Sequence, residues 1–108
     1  MDFYTEEDKK EIAILHSLKE IIDPEVTINI VDMGLIYKVT YKSTNKTILV
    51  TMTLSSKGCQ MSDLILSQVK ECLNKEYPDC TTEINLVWEP KWTREFITPA
   101  GRKQLGLT

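Results

Sequence analysis

Apolar residues recur at three- and four-residue steps at Ile12, Leu15, Leu18 and Ile22, a spacing that predicts an opening helix with one apolar stripe. Thr5 is placed to cap it, and Glu6, Glu7 and Asp8 complement the helix dipole in the first turn. Pro24 disfavours helical geometry in the residue before it, so the helix is expected to stop near Asp23 and Asp23-Pro24-Glu25 to form a turn. From Val26 to Met33 the pattern is irregular, and Asp32-Met33-Gly34 predicts a second turn that feeds a strand.

There the period changes to two. Tyr37, Val39 and Tyr41 alternate with Lys38, Thr40 and Lys42, which predicts a strand over Leu35 to Tyr41 with one covered and one wetter face. Ser43-Thr44-Asn45-Lys46 is a polar connection of hairpin length. A second strand, Thr47 to Leu54, places Ile48, Val50, Met52 and Leu54 on one face. After Gly58 the spacing becomes helical again: Met61, Leu64, Ile65, Val69, Cys72 and Leu73 share one side of a helix running to about Glu76, and Tyr77-Pro78-Asp79 ends it. Ile84, Leu86 and Trp88 alternate with polar neighbours in a third strand over Glu83 to Trp88, connected to the second by a parallel crossover. A last short helix has Thr98 as N-cap, Pro99 at its first position and Gly106 just past Leu105.

The order α-β-β-α-β-α predicts an α/β (α+β) domain in which helices cover a small three-stranded mixed sheet. At 108 residues the chain is one domain, 1–108, long enough to bury a core without disulfides. A net charge of -3 with dispersed Lys and Arg argues against a nucleic-acid partner, which would need a basic face to displace counterions from phosphates. The acidic N-terminus resembles no signal peptide and no apolar run is long enough to span a bilayer, so a cytoplasmic protein without a membrane partner is expected.

Candidate chemistry starts with the cysteines. Cys59, Cys72 and Cys80 form no C-x-x-C or Cys/His spacing, which fits reduced thiols rather than a disulfide framework or a closed zinc site. Cys59 lies between a strand and a helix start, where orphan N–H groups and the helix dipole favour a thiolate; the alternative is a small buried hydrophobe. Cys72 lies on the apolar stripe of its helix and is expected in the core. Cys80 falls in a loop and has no partner by spacing. Asp23 and Glu25 flank Pro24 as a carboxylate pair or oxygen ligands, although the same residues make an ordinary turn. Thr53 by itself is a strand residue. Trp88 and Trp92 bracket Glu89-Pro90-Lys91 and either pack as a lid on the sheet or expose an apolar patch to a partner.

Asp23-Pro24-Glu25, the run from Asn29 to Ile36, Met52-Thr53-Leu54, Gly58-Cys59, the run from Trp88 to Thr93, and Leu105-Gly106 occur in the order and approximate spacing of one family. Over about residues 10 to 107 the chain resembles the small domain shared by the SufT iron–sulfur maturation protein, the PaaD-type proteins and the eukaryotic cytosolic iron–sulfur targeting factors. The resemblance implies a fold related to other iron–sulfur assembly domains. It also implies a functional cleft of Asp23, Glu25, Thr53 and Cys59, with Cys59 as the reactive or metal-binding thiol. Two departures stand out: Ser55-Ser56 in place of Thr-Thr or Thr-Ser, and Gln60 where the family commonly has Pro, which loosens the helix start without removing the thiolate argument.

The resemblance thus implies an accessory factor rather than an enzyme. It would carry a transient iron–sulfur cluster or iron on Cys59, bind none tightly, and work with assembly proteins and client apoproteins. One cysteine cannot close a four-ligand site, so stable holding requires a homodimer, a partner or an exogenous thiol. The alternative is a metal-free adaptor, for iron–sulfur or multi-component oxygenase assembly, that docks through Trp88 and Trp92. A thiol enzyme would need His16, the sole histidine, as its base.

Overall fold

The computed structural model describes residues 4–24, 26–55 and 61–106. Helix α1, Glu6–Leu18, opens on a reciprocal cap in which the Asp8 N–H donates to the Thr5 hydroxyl at 3.0 Å and the Thr5 N–H donates to the Asp8 carboxylate at 3.1 Å. It stops at Leu18 rather than near Asp23. The Ile21 carbonyl accepts from Ile30 N–H at 2.9 Å and Ile22 bridges Asn29, so pairing with a later segment draws these residues out of the helix. The apolar stripe moves accordingly. Ile14 and Leu18 are fully buried, whereas Ile12 and Ile22 are 54% and 47% exposed.

Three strands, β1 (Ile36–Lys42), β2 (Thr47–Met52) and β3 (Thr81–Leu86), lie in the order β1-β2-β3. The first pair is antiparallel and the second parallel, giving the mixed sheet the sequence predicts. Central β2 turns Ile48, Val50 and Met52 inward at full burial, as its alternation requires. β2 ends at Met52, before Leu54, although the Thr53 N–H still donates to the Leu35 carbonyl at 2.8 Å, the position that the antiparallel register with β1 sets opposite it. β3 starts earlier than Glu83 and stops short of Trp88: Thr81 N–H donates to the Lys46 carbonyl at 2.8 Å, which draws its first residues into register with β2.

Helix α2, Met61–Glu76, presses Ile65, Val69 and Leu73 into the core and packs on β3, while α1 packs on β1. Its buried stripe is narrower than the spacing predicts: Leu64 is 45% exposed and Cys72 only half-buried. Along the outer edge of β1, Glu11 and Glu7 accept the N–H groups of Tyr41 and Ser43, each at 2.8 Å. Carboxylates from α1 thereby occupy edge donors that would otherwise invite another strand.

A short 3-10 turn, Arg94–Phe96, and helix α3, Pro99–Gln104, close the chain over the Asp32-Met33-Gly34 turn. Thr98 caps α3 as predicted, its hydroxyl accepting from Gly101 N–H at 3.1 Å, and Gly106 follows at φ +74°. The same hydroxyl donates to Asp32 Oδ1 at 2.8 Å, and Asn29 Nδ2 donates to Asp32 Oδ2 at 2.7 Å. Burial alone would raise the Asp32 carboxyl, but these two hydrogen bonds and the Lys19 charge hold it below its ordinary value.

Gly34 sits at φ +81°, and a Cβ there would lie 2.4 Å from the Phe96 carbonyl oxygen. Gly34→Ala is therefore expected to cost at least ~1–2 kcal/mol from the backbone conformation alone, read as a lower urea midpoint at unchanged m-value. Because the folded pKa of Asp32 lies below its unfolded value, its stabilisation is complete above about pH 4 and is lost as the pH falls through the folded value. Urea midpoints between neutral and strongly acidic pH should decline less steeply for Asp32→Asn than for the wild type.

Candidate functional site

Thr53 stands at the point where β2 ends, fixed by its N–H bond to Leu35 and 1% exposed. A threonine suits this place because its methyl packs in the core while its hydroxyl finds a partner. The Thr53 hydroxyl donates to the Leu54 carbonyl at 3.5 Å, and the neighbouring Tyr37 phenol donates to the Pro90 carbonyl at 2.7 Å. Burial, aided by the Glu89 carboxylate, pushes the Tyr37 hydroxyl above its ordinary value, while the Thr53 hydrogen bond partly offsets the shift. The Tyr37 ring meets Phe96 edge-on, with centroids 5.9 Å apart. Gly34, Ile36, Tyr37, Pro90 and Phe96 line an open hollow beside this contact.

Asp23 is buried at 3% exposure in the turn after α1. Its N–H donates to the Ile28 carbonyl and its carbonyl accepts from Thr27 N–H, both at 2.9 Å, and Thr27 takes φ +61°. Backbone bonds continue from there in steps: Ile30 to Ile21, Leu35 to Ile30, and Thr53 to Leu35. The loop that carries Asp23 and the strand end that carries Thr53 are thus tied together through residues 30–35. Glu25 and Cys59, with Ser56 and Gln60, lie outside the described residues.

Trp92 donates its indole N–H to the Met33 carbonyl at 2.7 Å, and both Trp88 and Trp92 pack half-buried against the core. The packing fits the lid that the Trp-Glu-Pro-Lys-Trp pattern suggests, with Trp92 clamping the Gly34 turn. Sequence alternation puts Tyr37 on the covered face of strand one and assigns it no role. What marks it is the bond from its hydroxyl to the Pro90 carbonyl, which exists only once β1 and the Pro90 loop are assembled.

The other titratable candidates are spread out. His16 is exposed in the last turn of α1. Cys80 is half-buried at the entry to β3, its N–H bonded to the Tyr77 carbonyl at 3.0 Å. Cys72, predicted to be core, is half-buried with acids around it: burial, Glu76 and Glu20 push its thiol up, against a smaller opposing pull from Lys75. Among the described residues no helix is long and apolar enough to cross a membrane.

Comparison with known proteins decides what this arrangement belongs to. Residues 11–85 match the model of a family described as iron–sulfur cluster assembly protein. The chain belongs to that family. It is 42% identical to the Fe–S protein maturation auxiliary factor SufT of Staphylococcus aureus, over 82% of this chain and 99% of that protein. Its identity with the auxiliary factor YitW of Bacillus subtilis is 37%, over 87% of this chain and 91% of that one. Among solved structures, a family domain of unknown function from Bacillus anthracis superposes with a TM-score of 0.87 at 35% identity, covering 94% of this chain and 96% of its own. A Mycobacterium tuberculosis protein, Rv1466, titled as associated with Fe–S complex assembly and repair, gives 0.51 at 32% identity, over 100% and 96%. The shared α-β-β-α-β-α architecture is the one the hydrophobic pattern predicts.

Tyr37→Phe keeps the ring on Phe96 and deletes the hydroxyl bonded to the Pro90 carbonyl. It should lower stability by about 1 kcal/mol, with a shift in tryptophan emission as the Trp88–Trp92 loop loses its tie; thermal unfolding followed by fluorescence checks both.

Proposed function

We propose that this protein is a non-catalytic accessory factor in cytoplasmic iron–sulfur protein maturation. On this reading it holds a cluster or iron transiently on Cys59 and passes it to client apoproteins. The observation that carries the reading is the near full-length match to SufT and YitW, both named Fe–S protein maturation auxiliary factors. Physical chemistry supports the role of Cys59: α2 begins at Met61, two residues beyond it, and a thiol just before a helix start is ionised more easily by the unpaired N–H groups and the dipole. Asp23 and Thr53, joined through residues 30–35, form the rigid side of the cleft on this reading, and Glu25 is assigned to it by the family pattern alone.

A carrier has to release what it holds. A single cysteine with hard oxygen neighbours suits that need, since stable clusters are held by four protein ligands and this site brings one thiolate. The remaining ligands come from a second copy, an assembly protein or a small thiol, and their exchange is the transfer step.

A metal-free adaptor working through Trp88 and Trp92 is the competing reading, and the bond from Trp92 to Met33 bears on its test. Removing that indole loosens the fold as well as the surface, so loss of function in a Trp92 variant counts only at equal folded fraction. Anaerobic reconstitution with iron and sulfide should give the wild type a visible charge-transfer absorption that Cys59→Ser reduces several-fold, with a parallel loss of transfer to a client apoprotein. Equal spectra and equal transfer in the two proteins would overturn the carrier reading.

A further inference from the structure

Cys72 lies where α2 passes the end of α1, and two carboxylates meet it there. One donor atom each from Glu20, Cys72 and Glu76 lies within 4.8 Å of the other two. Cys72 and Glu76 are one turn apart on the same face of α2, while Glu20 arrives from the segment after α1, so the set forms only in the folded chain. Ser17 of α1 touches two of the three: its carbonyl accepts from Cys72 Sγ at 3.8 Å, and its hydroxyl donates to Glu76 Oε2 at 2.7 Å. A shallow cavity of about 450 Å³ opens at the same place, lined by Glu20, Cys72, Gln68 and Glu71 among others.

We propose that Glu20, Cys72 and Glu76 form a binding site for one divalent first-row transition ion, of the Fe2+ or Zn2+ type, with water in the remaining position. A thiolate with two carboxylates favours such ions over Mg2+ and Ca2+, which prefer all-oxygen shells. Metal–sulfur and metal–oxygen bonds of about 2.3 and 2.0–2.2 Å set donors on a tetrahedron about 3.3–3.8 Å apart. The present spread closes with roughly 1 Å of movement, which the exposed Glu20 and Glu76 side chains supply, Glu76 while Ser17 donates to its Oε2. Lys75 is the nearby cation, one positive charge against three negative donors once the thiol is ionised. On binding, the S–H bond gives way to an S–metal bond and one proton passes to solvent; the ion keeps its oxidation state.

Cys59 is not one of the three donors. At about 1.5 Å per helical residue, Cys72 stands about 16 Å along α2 from its first residue, Met61.

Anaerobic titration of the reduced full-length Cys59→Ser protein with Co2+ tests the proposal, because cobalt reports thiolate ligation by a near-ultraviolet charge-transfer band. One Co2+ per chain with that band is expected, retained on adding Cys80→Ser and lost on adding Cys72→Ser. Glu20→Gln and Glu76→Gln, both at exposed positions, should each weaken binding at least tenfold, and they decide the matter if the Cys72 variant fails to fold. Competition by Zn2+ or Fe2+ should abolish the band, whereas Mg2+ should not. No band in Cys59→Ser, a band that survives Cys72→Ser, or unchanged affinity in both glutamine variants would overturn the site. None of these results bears on the Cys59 carrier reading, which stands or falls on cluster transfer.

Discussion

Residues 32–35 receive hydrogen bonds from three distant parts of the chain: Thr98 on Asp32, Trp92 on Met33, and Thr53 on Leu35. Gly34 makes this possible, because only a residue without Cβ fits under the Phe96 carbonyl at φ +81°. Gly101 adds a second close approach, where a Cβ would lie 3.0 Å from the Asp32 carbonyl. The C-terminal helix, the tryptophan loop and the end of β2 are therefore held by one turn. A side chain at Gly34 would push against all three contacts rather than one.

The candidate cleft inherits its order from that turn. Thr53 is fixed by Leu35, Asp23 belongs to the loop whose pairing with residues 28–30 truncates α1, and Tyr37 ties β1 to the Pro90 loop. The elements on the described side of the cleft are thus tied by backbone bonds as well as by side chains.

Much of this was legible in the sequence. The two-residue period of β2 is buried as predicted, the Thr5 and Thr98 caps form, and Gly106 follows α3 in the left-handed region. These features depend on neighbours within a few positions, and local chemistry specifies them. The exceptions share one cause. Ile22 leaves its helix because Asn29 pairs with it, and Thr81 joins β3 because Lys46 accepts its N–H. Cys72 misses the core because the seam between α1 and α2 places Glu20 and Ser17 beside it. In each, a partner outside the element outweighed a local preference, and for Thr81 and Cys72 that partner lies in a distant stretch of the chain.

By itself the sequence determined the order of elements, the faces they bury, the family resemblance, and the cysteine whose position before a helix favours a thiolate, because periodicity, capping and motif spacing are properties of short stretches. Only the tertiary structure decided where α1 ends, that Tyr37 ties β1 to the tryptophan loop, and that Glu20, Cys72 and Glu76 converge. Those depend on which surfaces meet when α1 and α2 pack together and when the Pro90 loop closes on the Gly34 turn. Packing is a relation between segments, and it brings together side chains that no single stretch of the chain contains.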